Sequence, residues 1–329
     1  MVKEGSQTRL GKAFEYACIK ALYDKYDDLQ DVVLEITPQL HTAQHCFELS
    51  VAKQSNLMDA AQAAIRTIEA LEPRLQYPDG DSPLVLSLQS DAAGVAGDVR
   101  DVMCIRRGSS WQFGLSCKHN HHAVKHSRLS DSIDFGSEWF NHPCSQIYFS
   151  EVTPKFQELR EMRDSGKETG TPAKWANLPD KAGDYYRPIL QSFMDELSRL
   201  NNSHSDVPEM LIRYLIGRHD FYKVITDDPR RVTRVEAINI AGTLNKASRE
   251  QKPITRVPVL KLPKRFYHIG FKETNGKESN NTIHVVCDEG WEISMRLHNA
   301  SSRIEPSLKF DVQLISFPSK LFAQTIAWK

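Results

Sequence analysis

Residues 94–130 constrain the fold of this chain more than any other stretch; they read GVAGDVRDVMCIRRGSSWQFGLSCKHNHHAVKHSRLS. Residues 99–106 are rich in β-branched and apolar side chains, Gly108 and Ser109 are typical of a turn, and residues 111–118 have the composition of a returning strand. The pattern predicts a β-hairpin. Its open end carries acidic residues on the first strand and a lysine on the second.

The register of this hairpin determines which polar groups meet. A two-residue turn centred between Gly108 and Ser109 places Ser116 opposite Asp101, so that Asp101, Ser116 and Lys118 share one face. The apolar residues between them on the second strand then point to the other side.

An alternative register follows from an odd turn. A turn centred on Ser109 would instead bring Asp98 and Arg100 beside Ser116 and Lys118. We prefer the even turn, because two-residue loops match the twist of hairpin strands. The choice decides which aspartate is the principal carboxylate of the site.

A carboxylate and a lysine at this spacing have a specific chemical use. The carboxylate of Asp101, together with the main-chain carbonyl of Cys117, can hold a divalent cation that activates water and neutralises a phosphodiester. The ammonium of Lys118 would orient that water or stabilise developing charge. Carboxylate, carbonyl and water are hard ligands, so magnesium is favoured over zinc.

The hairpin resembles the core of the PD-(D/E)XK nucleases. The strings GDVRDV and SCKHNHHAVKHSRLS resemble the HaeIII-type restriction endonucleases in particular. Two later strings do so as well: PEMLIRYLIGRHDFYKVI at 208–225 and MRLHNASSRIEPSLKFDVQLI at 295–315. The resemblance implies a Mg²⁺-dependent type II restriction endonuclease that cuts double-stranded DNA at GGCC to blunt ends, with a bacterial methyltransferase as its functional partner. A palindromic target also makes a homodimer the default expectation.

The chain departs from the usual nuclease motif at one position. Ser116 stands where the resemblance leads one to expect an acid. The second carboxylate must then come from elsewhere. Four candidates follow from the sequence: Glu15 on an early helix, Asp98, Asp131 and Asp134.

Two polar segments are candidates for DNA contacts. The basic stretch that leaves the hairpin would follow a phosphate backbone, and the polar loop HNASSR with its flanking cations would offer donors to base edges. The residues are His119, Asn120, Lys125, Arg128, Arg296, His298, Asn299, Ser301, Ser302, Arg303 and Lys309. A histidine metal site is the alternative for the first segment, since His122 and His126 have i,i+4 spacing, but the chain lacks an HExxH glutamate beside them.

The amino-acid composition limits the possible functions but does not identify one. Forty-two basic and 42 acidic residues cancel, so attraction to nucleic acid must come from local patches. The six cysteines are dispersed without a CxxC spacing, which predicts reduced thiols in a cytoplasmic protein, and the family resemblance implies a bacterial one. No apolar run approaches the length of a membrane span.

The predicted fold class is mixed α/β (α+β), a nuclease core whose mixed central sheet is flanked by helices, followed by a helical and β-rich DNA-recognition region. We expect a catalytic region at 1–163, a polar loop at 164–184 and a recognition region at 185–329. Predicted helices lie at 9–27, 55–72, 154–163 and 185–200, and one begins at 208. Further predicted strands lie at 31–37, 84–89, 145–152, 282–287, 291–297, 308–316 and 322–328.

Two other functions are compatible with the sequence. The serine at position 116 would suit a DNA-binding protein that has kept the fold and lost catalysis. A repair or recombination nuclease with little sequence preference would use the same hairpin chemistry.

Overall fold

The computed structural model describes residues 6–77, 80, 82–90, 98–119, 123–125 and 127–328, with the backbone alone for residue 6 and for 123–125. The helices of the described residues are α1 Ser6–Tyr26, α2 Pro38–Glu48, α3 Gln54–Leu71, α4 Phe135–Phe140, α5 Gln146–Glu168, α6 Arg187–Ser203 and α7 Val207–Ile216. The strands are β1 Val32–Leu34, β2 Leu84–Leu88, β3 Val102–Arg106, β4 Trp111–His119, β5 Ala123–Lys125, β6 Arg128–Leu129, β7 Phe221–Asp227, β8 Val232–Ile238, β9 Phe266–Thr274, β10 Lys277–Cys287, β11 Glu292–His298, β12 Leu308–Ser316 and β13 Phe322–Ala327.

The described residues form two compact units whose segments alternate along the chain. Unit 1 lies within Met1–His122, Gly217–Leu260 and Lys320–Lys329, and unit 2 within Ala123–Ile216 and Lys261–Ser319. Both combine helices with a sheet, so the predicted mixed α/β class is confirmed. The assignment of catalysis and recognition to parts of the chain stays a prediction.

Unit 1 is built on a seven-stranded mixed sheet with the strand order β1-β2-β3-β4-β7-β8-β13. Strands β2, β3 and β4 are antiparallel neighbours, whereas β7 lies parallel to β4. Helices α1 and α3 cover one face of this sheet, and Phe14 and Ile65 belong to the same buried core as Phe113 and Val224. The helices predicted at 9–27 and 55–72 are therefore confirmed. Their apolar residues are spaced so that they form one face of a helix, and this face is buried against the sheet.

Unit 2 contains an antiparallel sheet with the order β5-β12-β11-β10-β9, to which β6 adds by pairing with β12. An aromatic cluster joins its helices to the sheet. The ring centroid of Phe193 lies 4.6 Å from Phe135, 5.6 Å from Trp139 and 5.2 Å from Phe310 of β12. The apolar face of the sheet is thus covered, which leaves a polar face along the same strands.

The strand predicted at 145–152 is wrong, whereas the helix predicted at 154–163 is confirmed as part of a longer helix. One helix, α5, runs through both segments, capped by the Ser145 side chain and with Pro154 inside it. Tyr148, Val152 and Phe156 recur at helical spacing and are fully buried. Their packing outweighs the β-propensity of the segment and the hydrogen bond that proline removes. The predicted loop at 164–184 consequently begins later, since α5 continues to Glu168.

No helix among the described residues is long and apolar enough to cross a membrane.

Candidate active site

The β3–β4 hairpin has the even register that the sequence predicts. Val102 pairs with Leu115, and Arg106 pairs with Trp111 as the last pair before the turn. The turn itself differs from the expected two-residue loop. Four residues, 107–110, connect the strands through a 3₁₀ turn, and Ser110 adopts a left-handed conformation with φ 50°. The centre of the loop is unchanged, so the pairing is unchanged.

Asp101, Cys117 and Lys118 meet at the open end of this hairpin. The main-chain amide of Asp101 donates to the carbonyl of Leu115 at 2.6 Å. The Oδ2 atom of Asp101 accepts a hydrogen bond of 2.7 Å from the amide of Cys117 and lies 3.5 Å from Nζ of Lys118. The side chains of Asp101 and Lys118 are 25% and 26% exposed. A carboxylate, an ammonium and a main-chain carbonyl are thus together at a solvent-accessible place.

The charges around Lys118 keep it protonated. Burial lowers the pKa of Lys118, but the negative charge of Asp101, with smaller contributions that include Glu15, raises it above its ordinary value overall. A hydrogen bond with Cys18 and burial raise the pKa of Cys117, and the charges of Asp101 and Glu15 add smaller contributions in the same direction. Of the four candidates for the second carboxylate, Glu15 is therefore the one that acts electrostatically on both Cys117 and Lys118.

Asp98 belongs to an ion pair instead. Its two oxygens accept hydrogen bonds from the Arg100 guanidinium at 2.7 and 2.6 Å, and Gln89 donates to it at 2.8 Å. Burial raises the pKa of Asp98, but these hydrogen bonds outweigh burial and leave the pKa below its ordinary value. Its oxygens are occupied by Arg100 and Gln89 rather than by groups of the hairpin end.

Asp131 and Asp134 have local partners in unit 2. Both oxygens of Asp131 accept from Arg160 at 2.8 Å. Asp134 caps α4 by accepting from the amide of Ser137 at 2.9 Å, and it accepts from the amide of Cys144 at 3.0 Å. These contacts explain both carboxylates as structural groups.

Ser116 and Lys118 lie on the sheet face opposite to α1 and α3, and this candidate catalytic face carries further charges that sequence reasoning missed. Ser116 pairs with Lys223 of β7, and Lys223 pairs with Glu236 of β8. All three are buried, with exposures of 2%, 4% and 3%. The signal available in the sequence is the lone lysine within FYKVI at 221–225, since a charged residue is rare inside a buried strand.

Gly114 extends this face toward the ion pair of Arg100. A Cβ atom at position 114 would lie 2.5–2.7 Å from the stem carbons of Arg100. The absence of a side chain therefore lets Arg100 lie across β4, where Asp98 holds it.

The polar face of the unit 2 sheet brings three of the predicted DNA contacts into one row. Lys309 of β12 pairs with Arg128 of β6 on one side and with His298 of β11 on the other. Burial lowers the pKa of Lys309, and the adjacent Arg128 lowers it further. We call Arg128, Lys309 and His298 the basic row. Next to it on β11, Arg296 is 55% exposed and lies 3.2 Å from Asp311.

Other predicted DNA contacts are engaged within the protein. His119 is 4% exposed, with its ring 3.4 Å from Asp228, so we do not retain it as a DNA contact. The amide of Asn299 accepts from the hydroxyl of Tyr186 at 2.8 Å and donates to the carbonyl of Ser301, which shapes the loop.

The structure describes the remaining residues of the polar loop, but only part of the basic stretch that leaves the hairpin. The Ser301 hydroxyl donates to the carbonyl of Arg303 at 3.0 Å, whereas Ser302 and Arg303 are exposed. Asn120 and the histidines at 121, 122 and 126 lie outside the described residues, as does the side chain of Lys125.

The donor set at the hairpin end fits magnesium. In the described part of the chain, no group of three or more His, Cys, Asp or Glu side chains is close enough together to hold a metal. Magnesium does not require one, because it commonly binds one or two carboxylates and completes its shell with waters and substrate phosphate oxygens. The carboxylate of Asp101 and the carbonyl of Cys117 are oxygen donors of this kind.

A mixed sheet whose central hairpin ends in a carboxylate, a carbonyl and an ammonium is the arrangement that a resemblance to the PD-(D/E)XK nucleases predicts. Comparison with known proteins narrows the class. The sequence profile of the HaeIII restriction endonuclease family matches residues 11–318. The chain is 38% identical over 321 residues to the type II restriction enzyme HaeIII of Haemophilus aegyptius, covering 97% of each chain. The chain therefore belongs to the HaeIII restriction endonuclease family. A search of solved structures gives no significant match.

Proposed function

We propose that this chain is a magnesium-dependent type II restriction endonuclease that hydrolyses both strands of double-stranded DNA at GGCC and leaves blunt ends. The observation that carries the proposal is the contact of the Asp101 carboxylate with the amide of Cys117 and the ammonium of Lys118. Membership of the HaeIII family over almost the whole chain supports the same reaction and the same target.

The chain's own residues have distinct roles in this reaction. Asp101 and the carbonyl of Cys117 would hold the magnesium ion, and Glu15 would supply the second negative charge. When bound, the ion would supply activation of water and neutralisation of charge on the phosphodiester. Lys118 donates a hydrogen bond to the attacking water and stabilises the charge that develops on the phosphate. Ser116 occupies the usual acidic position without binding metal.

Recognition is assigned to the polar face of unit 2. Arg128 and Lys309 are the adjacent cations of the basic row. They suit phosphate oxygens, since a nearby anion would offset their mutual repulsion. Arg296 is the candidate for reading guanine, because its guanidinium is exposed and its orientation is set by Asp311. We retain Ser302, Arg303 and Lys125 as further DNA contacts.

Digestion of a plasmid of known sequence tests the function. We expect discrete blunt-ended fragments that map to GGCC sites in magnesium, and none in EDTA. A smear without preferred sites would favour a repair or recombination nuclease. Retention of the plasmid without cleavage would favour a DNA-binding protein that has lost catalysis, which the serine at 116 makes a definite alternative.

The proposed activity implies partners. A companion methyltransferase must protect host DNA in a bacterial cytoplasm, so a plasmid methylated at GGCC should resist cleavage. A homodimer would place two active sites on a palindrome. Sedimentation with and without a cognate duplex in calcium distinguishes a dimer from a monomer that cuts the strands in turn.

A further inference from the structure

Lys223 is a charged residue in a strand that is otherwise buried and mostly apolar. It is 4% exposed, and in β7 it pairs with Ser116 on one side and Glu236 on the other. A lysine therefore stands directly beside the serine that occupies the usual acidic position. Glu236 is held in turn by Arg234, whose Nε donates to it at 2.7 Å.

Lys223 and Lys118 are close neighbours on the candidate catalytic face. Adjacent strands lie about 4.8 Å apart and residues two positions apart about 6.6 Å along a strand, which puts their Cβ atoms roughly 8 Å apart. Burial lowers the pKa of Lys223 to about 8; Glu236 opposes this, and the positive charges of Lys118 and Arg234 add to it. The two ammonium groups thus repel each other.

The strand order gives this repulsion a direction. Strand β4 lies between β3 and β7, and Asp101 immediately precedes β3. Attraction to Asp101 on one side and repulsion from Lys223 on the other both move the ammonium of Lys118 toward the β3 side of β4, where Asp101 lies. The small neutral side chain of Ser116 leaves the repulsion in place, whereas a carboxylate at 116 would pair with Lys223 and screen it.

The charge of Lys223 is not explained by stability. Burying two opposite charges such as those of Lys223 and Glu236 seldom stabilises a fold more than apolar residues of similar size, because both charges lose their hydration. The strand neighbours Val224 and Ile225 show that apolar side chains fit at adjacent positions.

We propose that Lys223 is a positioning residue for Lys118, and that its charge, which lies opposite Glu236 in the strand pairing, directs the ammonium of Lys118 toward Asp101. The inference rests on the proposed roles of Asp101 and Lys118.

A double-mutant cycle tests this role. Cleavage of a duplex with one GGCC site is followed under single-turnover conditions with excess enzyme, for the unchanged chain, Lys118→Ala, Lys223→Met and the double variant. We expect Lys223→Met to lower the cleavage rate about tenfold or more while DNA binding in calcium is kept, and to cause no further loss in the Lys118→Ala background. Lys223→Arg, which keeps the charge, should be closer to the unchanged chain than Lys223→Met.

Two further variants serve as controls. Tyr222→Phe removes a buried hydrogen bond to Glu72 on the opposite face of β7, and it should lower thermal stability without lowering the rate. Lys223→Gln replaces Lys223→Met if the latter does not fold. Equal losses in both backgrounds, or a normal rate in a folded neutral variant, would overturn the inference while leaving the proposed function intact. A normal rate in Lys118→Ala would overturn both the inference and the proposed catalytic role of Lys118.

Discussion

The carboxylate of Asp101 accepts a hydrogen bond of 2.7 Å from the main-chain amide of Cys117. This bond fixes a negative charge beside the residue whose carbonyl we assign to the metal, and beside the lysine that follows it. The hairpin backbone therefore preorganises the site before metal or DNA binds. A side chain held by the main chain need not be reordered during the reaction, which is the condition for effective electrostatic catalysis.

Removing either charged side chain of the site, Asp101 or Lys118, should strongly reduce cleavage. We expect Asp101→Ala and Lys118→Ala each to reduce the cleavage rate by at least about a hundredfold, the scale of losing a principal charge stabiliser. Binding of a cognate duplex in calcium should persist. Asp98→Asn is the matched control, because Asp98 is paired with Arg100. Normal cleavage by Asp101→Ala together with an inactive Asp98→Asn would contradict the assignment of the carboxylate.

Glu15 should be the second acidic group of the site. Its charge acts on both Lys118 and Cys117. We expect Glu15→Gln to raise the magnesium concentration for half-maximal cleavage and to lower the maximal rate, because an oxygen shell with one carboxylate binds magnesium weakly. Asp131→Asn should leave the magnesium dependence unchanged, since that carboxylate binds Arg160. The reverse pattern would place the second carboxylate in unit 2.

The parts of the site that the sequence predicts are those set by local pairing. The register of the hairpin follows from the position of its turn, even though the loop has four residues rather than two. Lys223 could not be placed in the same way, because its pairing with Ser116 joins strands 107 positions apart. Strand order within a sheet is a tertiary property that periodicity does not specify.

Contacts between residues that are distant in the sequence also explain the polar loop around Asn299 and the start of the helix α5, which the sequence does not predict. Asn299 resembles a base-reading residue in the sequence, but the hydroxyl of Tyr186 holds its amide from 113 positions away. In α5, the aromatic and β-branched residues before Pro154 predict a strand, and only their burial in unit 2 shows why they form a helix. Tertiary packing overrides local secondary-structure propensity in such segments.

Glu72 should make the stability of unit 1 depend on pH. It is fully buried, and burial raises its pKa to about 7 although Tyr222 and the amide of Asn245 donate to it. The folded chain therefore binds a proton that the unfolded chain releases near pH 4.5. The stabilisation is fully present below that pH and is lost as the pH rises to about 7, by about 1.4 kcal/mol for each unit of pKa shift.

Urea denaturation between pH 4.5 and 8 measures this dependence. We expect Glu72→Gln to flatten the decline in the free energy of unfolding across that range, since the amide carries no charge to bury. Glu250→Gln, a change at an exposed position, should leave the slope as it is. An unchanged slope in Glu72→Gln would mean that another group titrates there.

Arg296 should read a base, whereas Lys125 should contact the phosphate backbone. Every base pair of GGCC presents a guanine whose O6 and N7 accept together, and a guanidinium matches that pair. Arg296 is exposed, and Asp311 orients it from the neighbouring strand. We expect Arg296→Ala to lose about 1 to 3 kcal/mol of discrimination against duplexes with one substituted base pair, and Lys125→Ala to weaken binding to all sequences and lower the salt slope by about one. Competition binding at two salt concentrations measures both effects. If Arg296→Ala weakens cognate and substituted duplexes equally, β11 contacts the backbone and the bases are read by another part of the chain.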